Sequence, residues 1–202
     1  LFVEEVQSAD KTDALSVGDV FRSLARQITK PSFIRLMVIG TPPNIPYMAY
    51  LGVASFIYIS MFHTNEFEFS CYFAVISLGA ILGSLSYMKT VGAQVENKLA
   101  GILLVVSAVA STAMLIWGSA GPLSFLVCMI PFTFCATYLR PYVSNRTLAG
   151  SVGSQGAASS AMNFLFTGIG SLGMLAITLG WPSYIIGIGW LMAISTALSI
   201  VG

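Results

Sequence analysis

The chain has 202 residues, of which 56% are hydrophobic and only 8% are charged, and its formal net charge is +1. Soluble domains carry about a quarter charged residues, so this composition excludes a water-soluble globular protein. The sequence also lacks the basic tract of a nucleic-acid-binding protein. We therefore expect the lipid bilayer to surround most of the side chains.

The positive charges fall in alternate gaps between long apolar stretches. One group precedes or opens the first stretch, a second lies between the second and third, and a third follows the fourth. The nine residues are Lys11, Arg22, Arg26, Lys30, Arg35, Lys89, Lys98, Arg140 and Arg146. This positive-inside distribution is typical of a multi-pass membrane protein, and it predicts that both ends of the chain are cytoplasmic.

The first 30 residues are polar and contain no apolar stretch long enough to span a membrane. Within 14–30, apolar residues recur at helical spacing, which predicts an amphipathic helix on the cytoplasmic membrane face. A disordered linker is the alternative. Because the sequence begins at Leu1 rather than Met, we expect a cytoplasmic linker at 1–30 that was cut from a longer protein.

Residues 31–202 contain six apolar stretches, each near the 20 residues that a helix needs to cross a bilayer. Their approximate limits are 32–61, 67–88, 98–117, 121–142, 153–179 and 182–201. Backbone groups in lipid must be satisfied within the segment, so these are predicted to be helices. The predicted fold class is an all-α membrane protein with six transmembrane helices.

The first span contains the sequence TPPNIP, which predicts a break or kink because proline lacks an N–H donor. Four polar or aromatic residues beyond it share a sector of about 120° on a helical projection. They are Asn44, Tyr47, Tyr50 and Tyr58. This sector is predicted to line a cavity, and the alternative is that the tyrosines bond to neighbouring helices.

The fifth span carries a polar stripe at helical spacing. Its members are Ser160, Asn163, Thr167, Ser171 and Thr178. An asparagine at mid-membrane depth needs a partner, so the stripe is either a helix contact or a cavity wall. Gly79, Gly83 and Gly170 are predicted helix-packing positions, because small residues let helices approach closely.

The fourth span places Phe134 and Tyr138 on one face and is predicted to end near Arg140 and Pro141. Arg140 is expected to extend to the lipid headgroups, and the alternative is a pair with an acid of a partner domain. The only histidine, His63, lies in a loop, and Glu66 and Glu68 are assigned to the outer loop at the start of the second span, so no acid is expected in the interior of a span. We therefore predict no enzyme activity and no cofactor. The cysteines Cys71, Cys128 and Cys135 show no metal-binding spacing, so no metal is expected.

Two segments carry a resemblance to a known family. Residues 54–74, ASFIYISMFHTNEFEFSCYFA, resemble the junction of the seventh and eighth helices in Bcr/CflA-type drug:proton antiporters of the major facilitator superfamily. Arg140, Pro141 and residues 153–164, GSQGAASSAMNF, resemble the same family's tenth-to-eleventh helix region. The loop at 83–98 keeps only Gly83, Lys89 and Gly92 of the superfamily's cytoplasmic loop motif.

This resemblance implies that the chain is the C-terminal half of a twelve-helix transporter, built from two inverted three-helix repeats. It implies proton-coupled multidrug efflux across the plasma (inner) membrane, with the proton-binding acid in an N-terminal six-helix half. The substrate would lie against Asn44, Tyr47, Tyr50, Tyr58, Phe134, Tyr138, Asn163 and Thr167. The alternatives are a nutrient or metabolite transporter of the same superfamily, and a self-contained six-helix channel or membrane scaffold.

Overall fold

The computed structural model describes residues 29–93, 95–151 and 155–202. Residues 14–28 of the predicted amphipathic helix lie outside this part of the chain. The described residues form helices and short connections and contain no strand. The α-helices are α1 (Pro31–Gly40), α2 (Asn44–Ser55), α3 (Glu66–Thr90), α4 (Glu96–Trp117), α5 (Pro122–Ala149), α6 (Gln155–Ala176) and α7 (Tyr184–Val201).

Four helices are long and apolar enough to cross a membrane. They are α3, α4 together with a short turn that extends it to Ala120, α5 and α7. The first predicted span does not form one continuous α-helix, since α1 and α2 are separate and a π-helical turn at Phe56–Met61 follows α2. The chain is therefore an all-helical protein with several potential membrane spans.

The break in the first predicted span lies at Thr41–Pro43, where the sequence predicted it. The amide of Thr41 still donates to the carbonyl of Met37, and the amides of Asn44 and Ile45 donate to the carbonyls of Thr41 and Pro42. These turn-type bonds connect the two helices although Pro42 and Pro43 have no N–H to donate.

The fourth predicted span continues beyond its expected end at 142, because α5 reaches Ala149 and contains Pro141 in its interior. A proline at this position leaves the carbonyl of Thr137 without its helical donor. The hydroxyl of Ser84, on α3, lies 3.4 Å from that carbonyl and donates to it. A neighbouring helix thus compensates for the proline, which is a common way to accommodate one in a membrane helix.

Each helix packs against a small set of partners. α3 lies along α5, α2 along α6, and α4 along both α5 and α7, while α1 contacts α5 and α7. Two of these pairs meet at glycines. A side chain at Gly83 would clash with the Phe134 carbonyl of α5, and one at Gly173 would clash with the Ile45 carbonyl of α2. The absence of a side chain therefore sets the distance between these helices.

Candidate functional site

Four polar residues of α6 lie on the face of this helix that the other described residues leave exposed. Ser160, Asn163, Thr167 and Ser171, here called the α6 polar strip, are all exposed. Their side chains therefore do not serve as contacts between this helix and the rest of the described chain. The spacing left open a helix contact or a cavity wall. The structure does not show these side chains packed against another helix of the described bundle. Thr178 of the same predicted stripe is also exposed and follows the end of α6.

The remaining exposed surface of α6 is apolar. Phe164, Leu172 and Leu175 are more than half exposed and lie on the side of the helix next to the α6 polar strip. Leu78, Leu82 and Ile102 of α3 and α4 are similarly exposed. Exposed apolar helix faces suit contact with lipid. The α6 polar strip is exposed like these surfaces, but its side chains are polar where theirs are apolar.

A small recess lies between the start of α2, the middle of α5 and the middle of α6. It has a volume of about 30 Å³, and it is lined by Gly40, Asn44, Tyr47, Ala136, Thr137, Arg140 and Phe166. This is room for one or two water molecules. The recess brings together two of the predicted substrate-contacting residues, Asn44 and Tyr47, with Arg140.

Asn44 holds α2 against α6. Its side-chain amide donates a hydrogen bond to the backbone carbonyl of Phe166, and the same amide lies against Gly170. Only 8% of Asn44 is exposed. The predicted packing position Gly170 therefore lies at this contact, and Gly83 lies at the equivalent close approach of α3 to α5. Gly79 makes a looser contact with Ile130.

Tyr50 and Tyr58 are fully buried in an aromatic cluster near the Glu66 end of the bundle. The Tyr58 ring centroid lies 5.6 Å from that of Phe125, and the Tyr50 centroid lies 6.0 Å from the same ring. Neither hydroxyl has a hydrogen-bond partner among the described residues. Both tyrosines therefore pack between helices through their rings, without the hydrogen bonds to neighbouring described helices that the alternative expectation required.

Tyr138 is also fully buried. Its hydroxyl lies 2.8 Å from the hydroxyl of Thr90, and its ring makes an edge contact with Tyr87 at 5.5 Å. Phe134 is half-buried, and its carbonyl packs against Gly83. These two predicted substrate contacts therefore lie at the α3–α5 interface, whereas Asn44 and Tyr47 line the recess and Asn163 and Thr167 belong to the α6 polar strip.

Sequence reasoning missed a polar cluster at the end of the bundle where α3 and α5 finish and α4 begins. The carboxylate of Glu96 is buried, accepts a hydrogen bond from the Gly92 amide at 3.1 Å, and lies 3.6 Å from Nε of Arg146. Asn145 donates to the Tyr87 hydroxyl at 3.0 Å. An acid in the segment between Lys89 and Lys98 gave no signal in the sequence that it would be buried.

Most of the described basic residues lie at this same end. Arg35 donates to the carbonyl of Gly202, and Lys30 and Arg146 line a common pocket between the start of α1 and the end of α5. Lys89 lies in the last turn of α3. Glu66 and Glu68 lie at the opposite end of α3, where Asn65 and Glu68 form a capping box. Most of the positive charges in the described part of the chain are thus gathered at one end of the bundle.

Comparison with known proteins adds no relative: no family model matches the chain, and neither a curated protein nor a solved structure matches it significantly.

Proposed function

We propose that the chain is the C-terminal half of a secondary transporter of the major facilitator type. It exports small amphipathic drugs or metabolites in exchange for protons, by alternating access. The observation that carries the proposal is the α6 polar strip, four polar residues that follow one exposed face of a helix in a chain whose large exposed side chains are mostly apolar.

Lipid acyl chains offer no hydrogen-bond partners to the α6 polar strip. A polar side chain such as that of Asn163 finds no hydrogen-bond partner among acyl chains, and such residues almost always face protein or a water-filled cavity. The described part of the chain does not cover the strip. A second six-helix half that packs opposite α6, with a substrate cavity between the halves, supplies the missing partner.

The pairing of the helices supports an inverted repeat. The first three predicted spans can be matched in order to the last three: α1 and α2 to α5, α3 to α6, and α4 to α7. Under this exchange, each main pair of packed helices becomes another pair that is also packed. The α2–α6 pair then corresponds to α5–α3, and α4–α7 corresponds to itself. Because three spans reverse the chain direction, such a repeat is inverted, as in transporters with a site near the midplane.

The charge distribution supports the orientation. With the basic end in the cytosol, the positive charges follow the positive-inside rule, and the Glu66 end faces outward. The protein is then a multi-pass protein of the plasma (inner) membrane. The described acids, Glu66, Glu68 and Glu96, all lie at helix ends. A titratable group for proton coupling, which pumps place within the membrane, comes from the other half.

The test is an efflux assay on the natural gene product in cells, over a panel of fluorescent and toxic amphipaths, with and without a proton gradient. Asn163→Leu is expected to reduce export of an identified substrate at least about tenfold while the amount of protein in the membrane is unchanged. Leu175→Met, on the apolar side of α6, is the matched control. Export that does not respond to the proton gradient, or that survives Asn163→Leu, contradicts the proposal.

A further inference from the structure

Arg140 is a charged residue within a helix that is long and apolar enough to cross a membrane. It lies nine residues before the end of α5, about 13 Å along the axis, and six residues before Arg146, which already reaches the polar end cluster. The sequence placed Arg140 near a helix end because the helix was expected to stop at 142. Its continuation to Ala149 puts the guanidinium well below that end.

The guanidinium of Arg140 points across to α6. Its Cζ lies 5.0 Å from the centroid of the Phe166 ring, which is near the middle of α6. The side chain is exposed and lines the recess together with Tyr47 and Asn44. It therefore lies on the same open side of the bundle as the α6 polar strip, which flanks Phe166 with Asn163 and Thr167.

No carboxylate of the described residues compensates this charge. The ion pair of this part of the chain joins Glu96 to Arg146, and the other described acids, Glu66 and Glu68, lie at the far end of α3. Of the polar groups that line the recess beside Arg140, the Tyr47 hydroxyl can donate a hydrogen bond, whereas the Asn44 amide already donates to the Phe166 carbonyl and the Thr137 hydroxyl donates within its own helix. A charge in a membrane helix is costly without a counter-charge, and a guanidinium beside the Tyr47 hydroxyl suits an anion.

We propose that Arg140, with Tyr47 beside it, binds the anionic oxygens of the transported solute, so that the substrates are organic anions such as amphipathic carboxylates. The proposal rests on the proposed function for its open, substrate-accessible face. The recess admits a carboxylate and not a ring, so the apolar body of the solute lies outside it, along the α6 polar strip and the exposed Phe164 next to it. A planar guanidinium binds a carboxylate through two parallel hydrogen bonds.

Binding is measured first, independently of transport, on the purified natural gene product in detergent. The probes are matched pairs of aromatic carboxylates and their primary amides, for example 2-naphthoate and 2-naphthamide, and the readout is the shift in melting temperature with ligand concentration. Members of the carboxylate set are expected to stabilise the protein where their amides do not. Because a charge-assisted hydrogen bond contributes roughly 1.5–3 kcal/mol, Arg140→Gln is expected to weaken carboxylate binding about ten- to a hundredfold.

Two further variants separate ligand binding from folding. Arg140→Lys keeps the charge and loses the two-pronged geometry, so it is expected to retain weak carboxylate binding. Thr112→Ala, on the lipid-facing side of α4, is the matched control and leaves binding unchanged. Carboxylate binding that persists in Arg140→Gln overturns the proposal. Equal binding of carboxylates and amides also overturns it. A third contrary result is that Arg140→Gln lowers only the ligand-free melting temperature, which is expected if Arg140 pairs with an acid of the other half.

Transport then separates this proposal from the proposed function. Efflux of fluorescein, an anionic xanthene dye, is compared with efflux of rhodamine 123, a cationic dye of the same ring system. Selective loss of fluorescein export in Arg140→Gln supports both proposals. Carboxylate binding without export of any probe supports the anion site and contradicts the proposal that the protein is a transporter. Export of rhodamine 123 alone, unaffected by Arg140→Gln, supports the transporter and overturns the anion site.

Discussion

Arg146 and Glu96 connect the last turns of α5 to the first turn of α4, with Nε and Oε1 3.6 Å apart. The Glu96 side chain is 9% exposed and that of Arg146 is 40% exposed. The pair lies where the loop after α3 turns back through Gly92, whose φ of 76° is in the left-handed region that favours glycine. One carboxylate therefore organises the ends of three helices.

Glu96→Gln is expected to lower the stability of the protein, because the Arg146 guanidinium loses its counter-charge. Since Arg146 is partly exposed, the coupling energy in a double-mutant cycle with Arg146→Gln should be about 1 kcal/mol. Reversible unfolding in mixed micelles measures it. Glu66→Gln, at the exposed start of α3, is the control and should change stability by less than about 0.5 kcal/mol. A coupling energy near zero would mean that the two groups are merely neighbours.

Gly173→Ala is expected to destabilise the bundle, because the added methyl group meets the Ile45 carbonyl of α2 and forces the two helices apart. We expect a loss of about 1–3 kcal/mol. Gly101→Ala is the matched control, since a methyl group at Gly101 of α4 meets nothing within 4 Å. Alanine is the better helix former by about 1 kcal/mol, so this control should be neutral or stabilising. Equal effects of the two substitutions would argue against the α2–α6 packing.

Tyr58→Phe is expected to leave stability unchanged or slightly raised, because the buried hydroxyl has no partner among the described residues and the ring contacts persist. Tyr138→Phe is the comparison, because it removes the hydroxyl that bonds to Thr90. That variant should lose about 1 kcal/mol. Thermal unfolding in detergent distinguishes them. Strong destabilisation by Tyr58→Phe would show that its hydroxyl has a partner in the folded protein.

Some of these features could be predicted from the sequence, because they depend on local chemistry. The helix break at Pro42 and Pro43 follows from the missing donors, and the spacing of Asn163 and Thr167 identifies a single face of α6. The direction of that face could not be predicted, because it depends on which neighbours cover α6. The spacing grouped Tyr47 with Tyr50, yet α5 and its Phe125 cover Tyr50, whereas Tyr47 reaches the recess.

The misplaced end of the fourth span shows a second limit. Arg140 and Pro141 together are typical of a helix end, but the α5 helix continues because Ser84 of another helix bonds to the carbonyl that Pro141 frees. A compensating donor 53 residues away in sequence cannot be inferred from local propensity. The same error hid that Arg140 lies within α5 rather than at its end, and with it the preference for anions that we propose.

The central claim is that the α6 polar strip lines a water-filled cavity inside the membrane. The most direct measurement is thiol labelling of single cysteines at Asn163, Thr167, Leu172 and Leu175, in the natural gene product with Cys71, Cys128 and Cys135 replaced by alanine. A hydrophilic, charged thiosulfonate reagent is added to inside-out membrane vesicles and to intact cells. We predict rapid labelling at 163 and 167, from at least one side of the membrane, and none at 172 and 175. Equal resistance at all four positions, with labelling only by a lipid-soluble maleimide, would contradict the account.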